Sequence, residues 1–234
     1  MRPGDPNLDM LEIMARKLGP LTERLVFVGG CTTGLFITDP LLPQIRVTRD
    51  VDVITEASSR LDYHQMEDEL RRLGFTPDLR PEAPICRWCI GDMILDLMPT
   101  DESILGFANR WYPDALTNAT HCTLPSGQII RTLTPAHFLG TKFEAFHGRG
   151  GGDYWASHDM EDIVCIIDGR AELITEVASC PDDLRSYLQA EFTALRDDPI
   201  FGEAVSGFLP GDPVSQTRGP RILQRIAALA GKVA

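Results

Sequence analysis

Apolar and polar positions change period several times along the chain, and each change marks an element. Residues 8–18, "LDMLEIMARKL", space Leu, Met and Ile as one face of a helix, and Gly19-Pro20 ends the run. "RLVFVGG" is a short apolar strand stopped by two glycines. "CTTGLFI" is expected to open a helix whose first amides stay unpaired, broken by Asp39-Pro40 and Pro43. Then follow the strand "RDVDVIT", a helix from about Ser59 to Leu73, and two hairpin strands near 85–90 and 93–98 that turn at Gly91 and Asp92.

Beyond Pro99 the character shifts. "TDESILGFANRWYPDAL" is loop-rich, "HCTLPSGQIIRTL" reads as a hairpin around Ser126-Gly127, and Thr134-Pro135 opens a helix with proline in its first turn. Helices are expected over 135–147, 157–178, 181–196 and 218–231, separated by glycine or proline. The glycine run Gly148 to Gly152, interrupted by Arg149, reads as a flexible loop rather than a linker. No internal repeat is present. The pattern predicts an α+β protein: an α/β core over 1–133 with a mixed β-sheet and flanking helices, then a mainly helical region over 134–234 packed on it.

Composition changes this picture little. With 234 residues, 43% hydrophobic and 24% charged, the chain is long enough for a proper core and matches ordinary globular usage. No apolar run reaches the roughly 18 residues a membrane span needs, and "MRPGDPNLDM" lacks the apolar stretch of a secretory signal, so the cytoplasm is the expected compartment. Six scattered cysteines suit a reducing environment. Cys86 and Cys89 alone have motif spacing, and no second pair completes a zinc site, so strand thiols are the simpler account.

Charge does change it. A net charge of −12 argues against a general polyanion-binding surface, although "RGPRILQRIAALAGK", Arg218 to Lys232, is a local basic patch on an amphipathic helix. Such a helix more often packs its Ile and Leu face and solvates the rest.

The candidate chemistry begins at "RVTRDVDVITE". Residues two apart on a strand point the same way, so Asp50 and Asp52 lie side by side. Their repulsion is costly unless each is solvated or a cation sits between them. A divalent metal and a wet strand end are the two readings. Asp96, in "MILDLMP", is set among Met, Ile and Leu, where an unpaired carboxylate is expensive to bury. If its strand pairs beside that of Asp50 and Asp52, three carboxylates converge. Hard oxygen ligands with few histidines favour Mg2+ or Mn2+ over zinc, and Mg2+ commonly shares its coordination with substrate phosphates. The turn at Gly29 and Gly30, with Thr32 after it, is expected to offer backbone amides to those phosphates.

"VFVGGCTTG", "TRDVDVI" and "ILDLMP", in this order, resemble the core of the nucleotidyltransferase superfamily related to DNA polymerase beta. "FLGTKFEAFHGRGGGDYWASHDMEDIV" resembles the helical segment of its AbiEii/MenT-like branch, which includes toxins of bacterial toxin–antitoxin pairs. The resemblance covers roughly residues 20–170. It implies a nucleotidyltransferase-type sheet, a nucleoside triphosphate such as ATP as substrate, and metal on Asp50 and Asp52. Asp96 would bind a second ion and help activate the acceptor, and the branch's Lys and later Asp match Lys142 and either Asp159 or Asp162. Nineteen residues separate Gly30 from Asp50, more than the compact superfamily spacing, which bears on the shape of the nucleotide pocket.

Other residues keep two readings each. Arg46 and Arg49 flank the aspartate strand and would contact phosphate or salt-bridge the aspartates. Lys142 would neutralise triphosphate charge or snorkel from a helix. Asp159 and Asp162, three apart on a helix, share a face and would orient Lys142 or cap and solvate. Trp111 and Tyr112 would stack on a base or pack under a loop, the second being expected, and His147 and His158 lack partners at metal-ligand spacing. The resemblance implies transfer of a nucleoside monophosphate to an acceptor, an RNA end or a protein hydroxyl, with a possible antitoxin partner. A small antibiotic-type acceptor and an inactive nucleotide-binding module are the alternatives. The acidic balance favours a small molecule or protein over bulk RNA.

Overall fold

The computed structural model describes residues 4–39, 45–57, 59–149 and 151–231. Pro40, Pro43, Gly150 and Lys232, which entered the sequence expectations, lie outside these. The chain divides into two compact units. One comprises Gly4–Gly34 and Val47–Thr134; the other comprises the described residues of Leu35–Arg46 and Pro135–Ala234.

The first unit is built on one sheet, which among the described residues has seven strands. Helix α1 (Leu8–Leu18) and a 3-10 turn (Gly19–Arg24) lead into β1 (Leu25–Val28). After a second 3-10 turn (Gly30–Phe36) come β2 (Asp50–Thr55), α2 (Arg60–Arg72), β3 (Thr76–Pro77), β4 (Arg87–Ile90) and β5 (Met93–Pro99). Short helices α3 (Glu102–Leu105) and α4 (Tyr112–Thr117) occupy the segment expected to be loop-rich, and β6 (Thr120–Thr123) and β7 (Ile129–Thr132) form the second hairpin. The order is β3-β4-β5-β2-β1-β7-β6, with β2/β5 and β1/β7 parallel and the remaining pairs antiparallel. The expected α+β class with a mixed sheet is therefore what the structure has.

The alternation within β2 sets the faces: Val51 and Val53 are fully buried, while Asp50 and Asp52 are half-buried. Leu95 and Leu97 of β5 continue the buried layer. Helix α2 is capped by Ser59, whose hydroxyl accepts from the Asp62 amide at 3.1 Å, and its Tyr63 hydroxyl donates to the Leu97 carbonyl at 2.7 Å. The lead-in to β2 is pinned by Asn7, 1% exposed, whose side-chain oxygen accepts from the Thr48 amide at 2.9 Å.

"CTTGLFI" departs from expectation: it winds as a 3-10 turn rather than an α-helix. The amide of Thr32 is not left open, since it donates to the Gly29 carbonyl at 3.2 Å, and the Thr32 hydroxyl donates to the same oxygen at 2.9 Å. The segment after Gly29 therefore begins as a 3-10 turn and not as an α-helix.

The second unit is helical: α5 (Pro135–Arg149), α6 (His158–Gly169), α7 (Leu173–Ser179), α8 (Asp182–Asp197), α9 (Pro199–Ala204), α10 (Pro213–Gln216) and α11 (Gly219–Leu229). Phe143 of α5 meets Phe192 of α8 edge-on at 5.3 Å. The helix expected over 157–178 is broken at Arg170, which takes an extended conformation, while the Gly169 carbonyl accepts from the amides of Thr38 and Asp39. The basic helix α11 buries Ile222, Ile226 and Leu229, and its Arg218 and Arg221 close on buried Asp168 at 2.5 and 2.6 Å. Arg225 donates to the Arg170 carbonyl. Three of the patch's cations are thus committed inside the unit. No helix among the described residues is long and apolar enough to cross a membrane.

Candidate functional site

The parallel register of β2 and β5 places Asp52 directly beside Asp96, with Asp50 beside Ile94. Neighbours in register on parallel strands point to the same face, so Asp50, Asp52 and Asp96 converge from two strands. Asp96 is 6% exposed. The antiparallel pairing of β1 and β2 sets Val28 against Asp52, which carries the following residue, Gly29, onto the Asp52 carboxylate. Gly29 has φ +73°, and a Cβ built on it would lie 1.9 Å from Asp52 Oδ2. Only glycine fits there, both for its backbone and for the approach.

A residue that the sequence reading passed over stands among the carboxylates. Arg87 of β4 pairs across the hairpin with Asp96. Its Nε donates to Asp96 Oδ1 at 2.8 Å, and its Nη2 donates to Asp96 Oδ2 at 2.7 Å and to Asp50 Oδ2 at 3.0 Å. This is a two-pronged guanidinium–carboxylate pair with a third, shared contact. The carboxylates hold the Arg87 guanidinium pKa above its ordinary value, the Asp96 hydrogen bonds being the main cause. The signal was present in the sequence: counting back from a two-residue turn at Gly91-Asp92 sets Ile90 against Met93 and Arg87 against Asp96.

Among the described residues no three His, Cys, Asp or Glu side chains stand as a group able to hold a metal ion. Asp96 has both oxygens on Arg87, while Asp50 and Asp52 keep the hard-oxygen donor set of a Mg2+ or Mn2+ ligand pair. Mg2+ is typically held by one or two carboxylates with substrate phosphates completing the shell. The residues therefore fit a single such ion on Asp50 and Asp52. Three residues after Gly30 in the chain, the Thr33 hydroxyl is buried and has no hydrogen-bond partner among the described residues. The Cys86 thiol is buried beside these groups and pushed up to about 12, first by burial and then by Asp96 and Asp52. None of the six cysteines, all among the described residues, is in a disulfide.

A second charged constellation lies in the helical unit. Lys142 of α5, 5% exposed, donates to Asp159 Oδ1 at 3.0 Å and to Asp162 Oδ2 at 2.6 Å, both on α6. Ser157 caps α6 by accepting from the Met160 amide at 3.2 Å, which fixes where its first turn begins. Arg149 donates twice to Asp159, each at 2.9 Å. Arg46 donates to Asp162 at 3.2 Å and lies 3.7 Å from Glu161. Burial works against charge on Lys142, but Asp162 and Asp159 outweigh it and hold its pKa above the ordinary lysine value. Asp159 is held below the usual carboxylate range: burial opposes this, and Arg149 and Lys142 overcome it. Lys142 is thus an ion-paired interior lysine and not a snorkelling one.

Arg46 therefore pairs with Asp162 and Glu161 of α6, and Arg49 is exposed on the bend before β2. Trp111 and Tyr112, 5% and 7% exposed, are packed rather than open to a base. His147 meets Glu191 at 2.8 Å and His158 meets Glu161 at 3.4 Å, both as surface pairs.

No family model matches the sequence, and no curated protein matches it. Among solved structures the chain is similar to an antigenic nucleotidyltransferase-like protein from Paracoccidioides brasiliensis, at 18% identity and a TM-score of 0.49, covering 88% of this chain and 94% of that one. It is also similar to the antibiotic-resistance factor ANT(2'')-Ia, at 16% identity and a TM-score of 0.46, covering 80% and 94%.

Proposed function

We propose that the protein is a Mg2+- or Mn2+-dependent nucleotidyltransferase of the DNA polymerase beta-related type, moving a nucleoside monophosphate from a triphosphate such as ATP to an acceptor hydroxyl. The observation that carries this reading is the register Asp52–Asp96 on parallel strands, with Asp50 on the same face and the Gly29 backbone against the Asp52 carboxylate. Nothing in a stable sheet requires three carboxylates on one patch, and Arg87 offsets one of their three charges, so the remainder favours a cationic ligand.

Asp50 and Asp52 would hold the ion, which when bound neutralises triphosphate charge and polarises the α-phosphate. The chain's own residues then bind and orient. Gly29 lets the backbone approach the carboxylates, and the orphaned Thr33 hydroxyl would donate to a phosphate oxygen, satisfying a group that is otherwise buried at a cost. The acceptor oxygen attacks the α-phosphorus, the bond to the pyrophosphate oxygen breaks, and the acceptor's proton is released to solvent. Both oxygens of Asp96 accept from Arg87, so Asp96 is given no part in moving that proton.

The net charge of −12 supports a small molecule or a protein as acceptor over bulk RNA. The ion-paired Lys142, Asp159 and Asp162, in a segment resembling the AbiEii/MenT-like branch, support a toxin-like component with an antitoxin partner and a cytoplasmic site of action. One observation favours a second reading. Arg87 on Asp96 also suits a module that binds a nucleotide without turning it over.

The test incubates the protein with each α-32P-labelled triphosphate, MgCl2 and a cell lysate, beside an Asp50→Ala, Asp52→Ala variant. Labelling of one acceptor with pyrophosphate release, lost in the variant, is expected. Metal-dependent triphosphate binding without any transfer would establish the binding module instead. Growth arrest on expression of the wild type but not of the variant tests the toxin role.

A further inference from the structure

We propose that Arg87 is a built-in cation of this carboxylate face, standing where a second metal ion would otherwise be held, so that the site takes one divalent ion and not two. This rests on the reading of Asp50 and Asp52 as metal ligands.

Three observations carry it. First, the contact is specific in geometry. Nε and Nη2 of Arg87 meet the two oxygens of Asp96 at 2.8 and 2.7 Å, and Nη2 is shared with Asp50 at 3.0 Å. A guanidinium fork matches a carboxylate in this way, so the edge of Asp96 on which a metal would be held by both oxygens is occupied.

Second, the pair is fixed by the fold. Arg87 and Asp96 are cross-strand partners of a hairpin whose tight turn leaves no slack, and their side chains are 19% and 9% exposed. Swinging Arg87 aside would strip a buried carboxylate of two hydrogen bonds and leave the guanidinium to find another partner. A gate that the metal itself opens is therefore the poorer account.

Third, the charge closes. Asp50, Asp52 and Asp96 carry three negative charges and Arg87 one positive, so a single dication brings the face to neutrality. A second would leave it strongly cationic before any substrate arrived. Arg87 also remains charged at every working pH, whereas a metal must be recruited from solution. In such a site Arg87 positions Asp50 and supplies fixed positive charge, and the one exchangeable ion sits on Asp50 and Asp52 before the nucleotide arrives.

The experiment counts Mn2+ ions bound to the full chain, with Mn2+ alone as probe, from the loss of the free-ion electron paramagnetic resonance signal. Wild type, Arg87→Lys, Arg87→Gln and Asp52→Asn are compared, with circular dichroism as the check on folding. One ion per chain is expected in wild type and in Arg87→Lys, two in Arg87→Gln, and loss of the wild-type ion in Asp52→Asn. Two ions in the wild type would overturn the proposal, even if Arg87→Gln does not fold. An Arg87→Gln that folds and still binds one would also overturn it. Binding by Arg87→Gln alone would mean that Arg87 excludes metal outright, again against a one-ion site. Binding by neither would remove the metal reading itself, and this proposal with it.

Discussion

Gly29 and Asp52 touch so closely that no side chain fits between them: a Cβ at Gly29 would sit 1.9 Å from Asp52 Oδ2 and 2.7 Å from its Cγ. Because Gly29 also has φ +73°, Gly29→Ala meets both a clash and a strained backbone. We expect a loss of about 2–4 kcal/mol in urea unfolding. Adding Asp52→Ala should recover the part due to the clash and leave about 1–2 kcal/mol from the left-handed backbone. Full additivity of the two changes would show that the contact is absent.

Lys142 is buried between two aspartates that each have a second cationic partner, Arg149 and Arg46. Lys142→Met leaves both aspartates paired, so the expected cost is about 1–3 kcal/mol. Asp162→Ala withdraws the 2.6 Å partner and leaves the buried ammonium on Asp159 alone, which should cost about 3 kcal/mol or more. Chemical unfolding of the two variants, compared directly, would refute the network if their order were reversed.

Asp159 carries a pH signature. Its folded pKa is depressed against burial by Arg149 and Lys142, so its contribution to stability is present above the unfolded value of about 3.9 and is lost as pH falls through the lower folded value. Asp159→Asn mimics the protonated state. The stability gap between wild type and this variant should be widest near pH 6–7 and shrink steadily below about pH 4. A gap that does not narrow in acid would mean that the charge is not what Asp159 contributes.

The Thr33 hydroxyl offers a test that separates folding from binding. With no partner among the described residues, it costs stability where it stands, so Thr33→Val should stabilise the apo protein by about 1 kcal/mol. If the hydroxyl serves a phosphate, the same variant should bind triphosphate about tenfold more weakly by calorimetric titration. Unchanged affinity would remove Thr33 from the proposed site.

The carboxylate face shows how far local pattern reaches. That Asp50 and Asp52 share a face follows from the two-residue period of a strand, and that Val51 and Val53 are buried follows from the same alternation. Arg87 was accessible by counting residues back from Gly91-Asp92, because a tight turn transmits register without help from the rest of the fold. The 3-10 turn at Gly30–Phe36 was not, since Thr32 closes onto Gly29 in a way that no spacing rule distinguishes from the first turn of an α-helix.

By itself the sequence determined most of the elements and the faces they present. Ser59 and Ser157 start helices through contacts three residues away, and Gly91 turns a hairpin in place. Only the tertiary structure decided who meets whom over long separations. β2 could have paired with any strand, and its parallel register with β5 is what sets Asp52 beside Asp96, 44 positions on. Arg46 sits four residues before Asp50 yet pairs with Asp162, 116 residues away. The physical reason is common to both. Local hydrogen bonding and side-chain period act within a turn or a strand, whereas the choice of distant partners is made by the packing of whole faces, which short stretches do not encode.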